Sequence, residues 1–201
     1  DAVAVEQVEP LTLKGKAEPV PAYRLVSVGS VPERSHALSF VGRERELDAI
    51  AEAWMRAQVA SRCELLTVVG EAGVGKSRLV AEALAAIEAR VVRGRCLPYG
   101  DGITYWPVVE VVKQLVTPPS DPIAAASIRS LLGDSDVGTS GEEIAWAFRK
   151  LLEEHAPVVI VFDDIQWGDE TFLDLVESTA LLSGGAPLLP VTSVISLTPA
   201  T

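Results

Sequence analysis

The sequence predicts an α/β fold in which a parallel β-sheet is covered by helices on both faces. Two observations predict it. Short apolar runs that end in glycine or aspartate alternate with segments whose apolar residues recur every three to four positions, as in amphipathic helices. Hydrophobic residues make up 48% of the 201 residues and charged residues 22%, which is typical of a globular domain and argues against global disorder. Alternation of this kind places the strands side by side in one parallel sheet.

The first 26 residues do not fit this alternation. Residues 1–26 are predicted to form two short strands around a turn at Lys14-Gly15-Lys16, and residues 27–38 have the composition of a linker. So short a segment cannot bury a core of its own, so we expect its strands to belong to a larger sheet or to dock on the domain that follows. The chain also begins without Met, so we expect it to be a piece of a longer protein. The predicted α/β domain covers residues 39–201.

The elements of this domain follow from hydrophobic periodicity. The first helix is predicted from Leu47, Ile50, Ala51, Trp54 and Met55, which lie on one helical face. In order, the predicted elements are a helix at about 44–60, a strand at 64–69, a helix at 75–90, a short strand from 91, helices at 105–116 and 142–155, a strand at 158–162 and a helix at 170–182. Residues 133–141 are predicted to break the chain between helices.

The strongest motif is Gly70-Glu71-Ala72-Gly73-Val74-Gly75-Lys76-Ser77, which matches G-x-x-x-x-G-K-[ST] at every position. Its glycines allow backbone N–H groups to face inward at a helix N-terminus, which is an anion-binding arrangement. We expect Lys76, on an exposed loop–helix junction, to reach the β- and γ-phosphates of ATP and the Ser77 hydroxyl to hold Mg²⁺. Arg78 completes the predicted nucleotide-binding segment. A glycine-rich turn that carries Lys-Ser by chance is the alternative, and the predicted flanking strand and helix argue against it.

A second motif ends the apolar strand at 158–162 with Asp163 and Asp164. Ligands of open α/β folds bind at this carboxyl edge of the sheet. We expect Asp163 to hold the magnesium hydration shell and Asp164 to polarise the attacking water or sense the γ-phosphate, so that Asp164 and Lys76 are the catalytic candidates. Adjacent strand residues point to opposite faces, so the two carboxylates should have different roles. The alternative is a solvated strand end.

With both motifs in place, the chain resembles the AAA-like ATPase modules of the signal-transduction (STAND) type, which in large bacterial regulators directly follow a class III nucleotidyl cyclase domain. Phe40-Val41-Gly42-Arg43-Glu44 is similar to the entry motif whose backbone lines the adenine pocket in origin-recognition-like AAA ATPases. Val41, Gly42 and Arg43 therefore join the predicted nucleotide-binding residues, although Arg43 could equally be a surface charge. Residues 95–107 and 163–169 resemble segments of the cyclase-linked subgroup, and residues 8–25 look like the last two strands of a cyclase domain.

The resemblance implies a P-loop NTPase sheet and a nucleotide switch that binds ATP or ADP with Mg²⁺, hydrolyses ATP slowly, and acts on other domains of its parent regulator. Cyclase activity is not expected, because the cyclase metal-binding and purine-recognition residues would lie upstream of Asp1. A non-hydrolysing switch and an inactive fragment are the alternatives. Pro190 conflicts with a central strand, so we expect residues 190–201 to be poorly ordered or wrongly docked, and the sensor residue and helical lid to be missing.

Composition excludes other classes of function. The formal net charge of −11 argues against direct nucleic-acid binding. The sequence has no signal peptide, and no apolar run approaches the roughly 20 residues of a membrane span, so we expect a cytoplasmic protein without a membrane partner. Cys63 and Cys96 have neither disulfide-framework nor metal-site spacing, and we expect small buried side chains. Trp167 is expected to form a wall of the site, and Tyr105 and Trp106 to pack rather than stack on a base.

Overall fold

The computed structural model describes residues 3–11, 20–28, 40–98, 104–135 and 138–195. The chain divides into two compact units, residues 1–41 and 42–201. The predicted turn at 14–16 lies outside the described residues, as does most of the predicted linker.

The first unit contains a two-stranded antiparallel sheet of β1 (Val3–Leu11) and β2 (Val20–Val28). The register pairs Gln7 with Tyr23 and shifts on either side of the segment from Val5 to Val8. Tyr23 is 60% exposed, and none of the described side chains of these two strands is buried. The second strand runs two residues further than its predicted end at 26.

The second unit is built on a four-stranded parallel sheet, as the sequence predicts. Its strands are β3 (Leu66–Gly70), β4 (Arg90–Arg95), β5 (Val158–Asp163) and β6 (Leu188–Ile195). Their order across the sheet is β3-β6-β5-β4. Strand β5 is central, and all five of its apolar residues are at most 2% exposed. This burial explains why the strand has an unbroken apolar run rather than an alternating pattern.

Six helices are described in this unit. They are α1 (Glu44–Ala60), α2 (Lys76–Ala85), α3 (Trp106–Gln114), α4 (Pro122–Leu131), α5 (Gly141–His155) and α6 (Glu170–Leu182). A short 3₁₀ turn over Ile165–Trp167 joins β5 to α6. Helix α2 ends five residues before its predicted end. Phe172 of α6 packs edge-on against Phe162 of β5, with ring centroids 5.2 Å apart.

Helix α4 was not predicted, although its start signal is present in the sequence. The Asp121 side chain accepts hydrogen bonds from the backbone N–H groups of Ile123 and Ala124, and Pro122 occupies the first turn, where its missing N–H costs nothing. The neighbouring Pro118-Pro119 pair and the polar stretch after α4 hide this signal. Helix α5 begins with a capping box, in which Ser140 and Glu143 satisfy each other's backbone N–H groups.

The expectation that residues 190–201 are disordered or misplaced is wrong for residues 190–195, which belong to the central strand β6. Leu188 uses its backbone groups on the β3 side, since its N–H donates to Arg62 and its carbonyl accepts from Glu64. Backbone groups alternate between neighbours along a strand, so the nitrogen of Pro190 faces that side as well. Pairing on this side begins at the bridge between Cys63 and Leu188 and resumes in the same register at Leu66 with Val191. Pro190 lies in the gap between these two pairs, so its missing N–H coincides with a local interruption of the pairing, while pairing with Ile160 of β5 continues on the other side. Residues 196–201 lie outside the described residues.

The outer edge of β4 is covered by side chains of α3. Gln114 accepts from the N–H of Arg93 at 2.9 Å and donates to its carbonyl at 2.6 Å, while Glu110 accepts from the N–H of Arg95 at 2.7 Å. Helix α3 comes this close because Gly94 has no side chain: a Cβ there would lie 2.3 Å from the carbonyl oxygen of Pro107. Arg95, the last residue of β4, pairs in register with Asp163 at the acidic end of β5.

No helix in the described part of the chain combines the length and the apolar composition that a membrane span requires.

Candidate nucleotide-binding site

The phosphate-binding motif lies on the loop between β3 and α2. Gly73 and Gly75 have φ angles of 77° and 92°, a left-handed conformation that favours glycine. Gly75 is the N-cap of α2, and no side chain among the described residues caps that end. The first-turn N–H groups of α2 are therefore available to an anion, and the helix dipole favours negative charge there.

Lys76 is buried rather than exposed, which corrects the expectation from sequence. The residue is 9% exposed, and its Nζ donates to the carbonyl oxygens of Gly70 and Glu71, both at 2.9 Å. The ammonium group thus lies against the carbonyl oxygens of the same loop in which it is expected to bind phosphate. A buried ammonium needs such partners because desolvation of an unpaired charge is costly. A phosphate placed in the loop would offer the same group a charged acceptor.

Arg43 contacts the phosphate loop. It is the N-cap of α1 with a φ of 64°, next to Gly42 with a φ of 80°. This turn directs the guanidinium to Val74, whose carbonyl oxygen accepts from Nη2 at 2.7 Å. Arg43 therefore hydrogen-bonds the loop, and its role in nucleotide binding stays a prediction. Val41 closes the first unit and is 87% exposed.

The other predicted residues of the loop are open to solvent. Glu71, Ala72 and Ser77 are exposed, and Arg78 is half-buried in the first turn of α2. The Ser77 hydroxyl is therefore accessible to an ion that approaches the loop.

The sheet order brings the acidic strand end to the same edge as the loop. Strand β6 separates β3 from β5, and its Ser193 pairs in register with Val68 of β3. The Ser193 hydroxyl donates to Oδ1 of Asp163 at 3.0 Å and accepts from the N–H of Asp164 at 3.1 Å. A single serine, 3% exposed, thus orients both acidic residues from the strand that links the two motifs.

Asp164 does not lie on the strand, which corrects the geometric argument made from sequence. Strand β5 ends at Asp163, and Asp164 has a left-handed φ of 57° as the N-cap of the 3₁₀ turn. Its Oδ2 accepts from Nε and Nη2 of Arg95, at 3.0 and 2.8 Å. The two carboxylates therefore have different surroundings because the backbone turns between them, and Asp164 carries an ion-pair partner that the sequence did not indicate.

Ser193 and Arg95 are the site residues that sequence reasoning missed. Ser193 lies in the segment 190–201, which the sequence predicts to be poorly ordered or wrongly docked. Arg95 was considered only as part of the segment 95–107, which resembles a segment of the cyclase-linked subgroup. Its charge was not considered as a possible partner of an aspartate. The positions of both at strand ends could have identified them, since polar residues at the carboxyl ends of parallel strands meet at one edge.

Several carboxylates lie near Cys96 at this edge of the sheet. Burial, together with the charges of Asp164, Asp169, Glu110 and Asp163, raises the pKa of the Cys96 thiol to about 12. Cys96 is 2% exposed and was correctly expected to be buried. Cys63 is half-buried rather than buried as expected, and desolvation and the charge of Glu64 raise its pKa to about 12 as well. Both thiols are therefore mostly protonated at neutral pH.

The aromatic residues near Asp163 and Asp164 line a separate cleft that neither aspartate lines. Trp106 and Trp167 are 40% and 54% exposed and border a small cleft of about 40 Å³. Thr104 donates a hydrogen bond to Asp169 across that cleft. Burial and the charge of Asp169 raise the pKa of Tyr105.

The donor set fits magnesium bound together with a nucleotide better than a resident metal. Within the described ranges, no group of three or more His, Cys, Asp or Glu could hold an ion by itself. Asp163 and the Ser77 hydroxyl are single hard oxygen donors, and Mg²⁺ typically completes its shell with water and phosphate oxygens.

Comparisons with known proteins agree with this geometry. The profile of the AAA ATPase domain family matches residues 39–191. The chain is 26% identical over 220 residues to the uncharacterized protein R02095 of Rhizobium meliloti (strain 1021), covering 90% of this chain and 21% of that protein. The chain thus spans about a fifth of this relative.

Two solved structures are similar at a distance. A Drosophila ORC structure bound to AT-rich DNA and Cdc6 gives a TM-score of 0.39 at 10% identity, covering 77% of this chain and 50% of the other. A structure of Pif1 helicases on forked double-stranded DNA gives a TM-score of 0.38 at 14% identity, and the match covers 81% of this chain and 36% of the other. Both are too distant to bear on function. The family match covers three quarters of the sequence and includes both motifs, so the chain belongs to the AAA ATPase domain family.

Proposed function

We propose that this chain binds ATP with Mg²⁺, hydrolyses it slowly, and acts as the nucleotide-switch module of a larger signalling protein. The observation that carries the proposal is the uncapped N-terminus of α2 behind the left-handed Gly73 and Gly75, on the same sheet edge as Asp163. A helix end of this kind binds phosphate through backbone N–H groups.

Binding would use groups that the loop already presents. The N–H groups of residues 73–78 would hold the phosphates. Lys76 would exchange the carbonyl oxygens of Gly70 and Glu71, each at 2.9 Å, for a phosphate oxygen. Because hydrogen bonds between two charged groups are stronger than those to a neutral carbonyl, this exchange favours the bound state. Arg43 would hold the loop in place through the carbonyl of Val74.

Magnesium, when bound, would neutralise charge on the phosphates. Ser77 and Asp163 are the residues that would hold it, and Ser193 would keep the Asp163 carboxylate oriented through its 3.0 Å hydrogen bond. Asp164 would orient the attacking water. Arg95 already engages Oδ2 through two hydrogen bonds, at 3.0 and 2.8 Å, which leaves Oδ1 for the water, and this engagement is our reason for proposing slow turnover.

The same ion pair favours one alternative, a switch that binds ATP without hydrolysing it. If Arg95 holds Asp164 away from the attacking water when nucleotide is bound, Asp164 does not activate that water. The two candidates share the binding site and differ only in turnover.

The signalling role rests on the resemblance of residues 8–25 and 95–107 to cyclase-linked STAND regulators. The β1–β2 hairpin is compatible with the proposed origin of the first 26 residues as a cyclase remnant followed by a linker over 27–38. We also propose a cytoplasmic location, other domains of the parent protein as partners, and no direct contact with nucleic acid, given the net charge of −11.

Equilibrium binding of a fluorescent ATP analogue, with and without Mg²⁺, tests the proposal. We expect saturable binding that Mg²⁺ strengthens and that Lys76→Ala weakens, while Lys113→Ala on the exposed side of α3 has no effect. Binding that is equal in both variants would refute the phosphate-loop assignment. A phosphate-release assay then separates slow hydrolysis from a switch without turnover.

A further inference from the structure

A groove between α5 and α6 forms a second concave surface that the nucleotide site does not use. Its cavity of about 580 Å³ is lined from the first turns of both helices to Arg149 and Leu182. Helix α5 leads into β5 and α6 into β6, two parallel neighbours, so the helices run in the same direction. From Gly141 to Arg149 the groove extends about 12 Å at 1.5 Å per residue, or roughly two helical turns. We propose that this groove binds an amphipathic basic helix of a partner protein.

The floor of the groove is apolar. Ala145 and Trp146 of α5 and Leu175 of α6 line it, and Leu182 closes one end. Leu182 is 64% exposed although it lines the cavity. An apolar trough bordered by an exposed leucine and rimmed by polar residues is typical of a surface that a partner covers.

The walls determine the shape of the occupant. Both are helices whose backbone hydrogen bonds are satisfied internally, so the groove offers no edge to an added strand. A short apolar trough between two helices is instead the shape that accepts the apolar face of a third helix, with contacts spaced at i, i+3/i+4 and i+7.

The rim determines the charge of the occupant. Glu142 and Asp174 line the groove, one from each helix. Arg149 lines the groove as well and pairs with Glu153 at 3.0 Å, a carboxylate that Lys150 shares at 3.3 Å. The lining therefore holds two acidic residues and one basic residue, and its net charge is negative. Lysine or arginine beside the apolar face of a partner helix would complement it. A second copy of this chain, with a net charge of −11, would be repelled, as would a nucleic acid.

The inference is independent of the proposed nucleotide function, because no residue of the phosphate loop or the acidic strand end lines the groove. It can therefore be tested without nucleotide. The probe is a fluorescein-labelled 15-residue helical peptide with leucines along one face and lysines on both flanks. The control peptide has glutamate at every lysine position. Fluorescence anisotropy measures the binding of each peptide to the full chain.

We expect the lysine peptide to bind at least tenfold more tightly than the glutamate peptide. Ala145→Gln, which fills the floor without adding charge, should weaken the lysine peptide at least fivefold, whereas Val59→Gln on the exposed face of α1 should not. The double variant Glu142→Lys/Asp174→Lys should reverse the preference between the peptides, and it tests the inference even if Ala145→Gln unfolds the chain. Equal binding of both peptides, no binding of either, or an unchanged preference in the double variant would overturn the proposal.

Discussion

Arg95 and Asp164 form an ion pair between the ends of neighbouring strands, with two guanidinium nitrogens 2.8 and 3.0 Å from one carboxylate oxygen. The side chains are 65% and 27% exposed. An ion pair this exposed to solvent contributes only about 0–1 kcal/mol. The pair is therefore strong enough to orient Asp164 and weak enough to be exchanged when charge arrives at the site.

The two acidic residues should respond differently to neutralisation. Asp163→Asn should weaken nucleotide binding only in the presence of Mg²⁺, because it removes an ion-holding oxygen. Asp164→Asn should leave binding intact and lower turnover. Isothermal titration with and without Mg²⁺, followed by phosphate release, separates these effects. An equal loss of Mg²⁺ dependence in both variants would contradict the division of roles.

Lys76→Ala should weaken ATP binding about ten- to a hundredfold, since a charge-assisted hydrogen bond contributes roughly 1.5–3 kcal/mol and each 1.4 kcal/mol is about tenfold. Because Lys76 is buried and bonded to two loop carbonyls, we also expect a small loss of thermal stability. Fluorescence titration and thermal melting measure the two effects. Lys113→Ala is the matched control. If Lys76→Ala binds ATP as tightly as the unmodified protein, Lys76 does not reach the phosphates.

Two buried serines should behave in opposite ways when their hydroxyls are removed. Ser193→Ala leaves Asp163 and the N–H of Asp164 without a partner, which should cost about 1–3 kcal/mol. Ser183 is 7% exposed, and among the described residues its hydroxyl has no hydrogen-bond partner, so Ser183→Ala should be neutral or stabilising. Urea unfolding of both variants makes the comparison, and equal destabilisation would show that the Ser193 hydrogen bonds contribute nothing.

Gly94→Ala should destabilise the protein by about 1–3 kcal/mol or more, because its Cβ would overlap the backbone carbonyl of Pro107 and displace α3. Gly184 has open space around it, so Gly184→Ala should change the free energy of unfolding little. Chemical denaturation measures both. If the two variants are equally stable, α3 is not held against β4 at this point.

Neither cysteine should react quickly with iodoacetamide at pH 8 in the folded protein. Burial raises the pKa of both thiols to about 12, so the reactive thiolate is scarce until the pH approaches that value. Unfolding in urea restores ordinary thiols, and the alkylation rate should rise sharply. Mass spectrometry over time follows both residues, and fast labelling of folded Cys96 would contradict its burial.

The sequence by itself determined the parts of this protein whose signals are local. The glycine spacing from Gly70 to Gly75 predicted a phosphate-binding loop, in which Gly73 and Gly75 adopt left-handed φ angles. The apolar run before Asp163 predicted a strand buried on both faces. Helix α1 followed from its own periodicity. In each case the physical requirement lies within one short segment, so the residues carry it without reference to the rest of the chain. Helix α4 had a local signal too, but neighbouring prolines obscured it.

The tertiary structure decided what depends on neighbours distant in sequence. The partner of Asp164 is Arg95, 69 positions away, and the serine that orients Asp163 comes from a strand 30 positions later. Pro190 is accommodated in a central strand because its nitrogen faces a gap in the pairing, between the Cys63–Leu188 bridge and the Leu66–Val191 pair, and this position depends on register. Lys76 is buried because its own loop supplies two carbonyl acceptors. Register and strand order set these contacts, and they arise only when the sheet assembles.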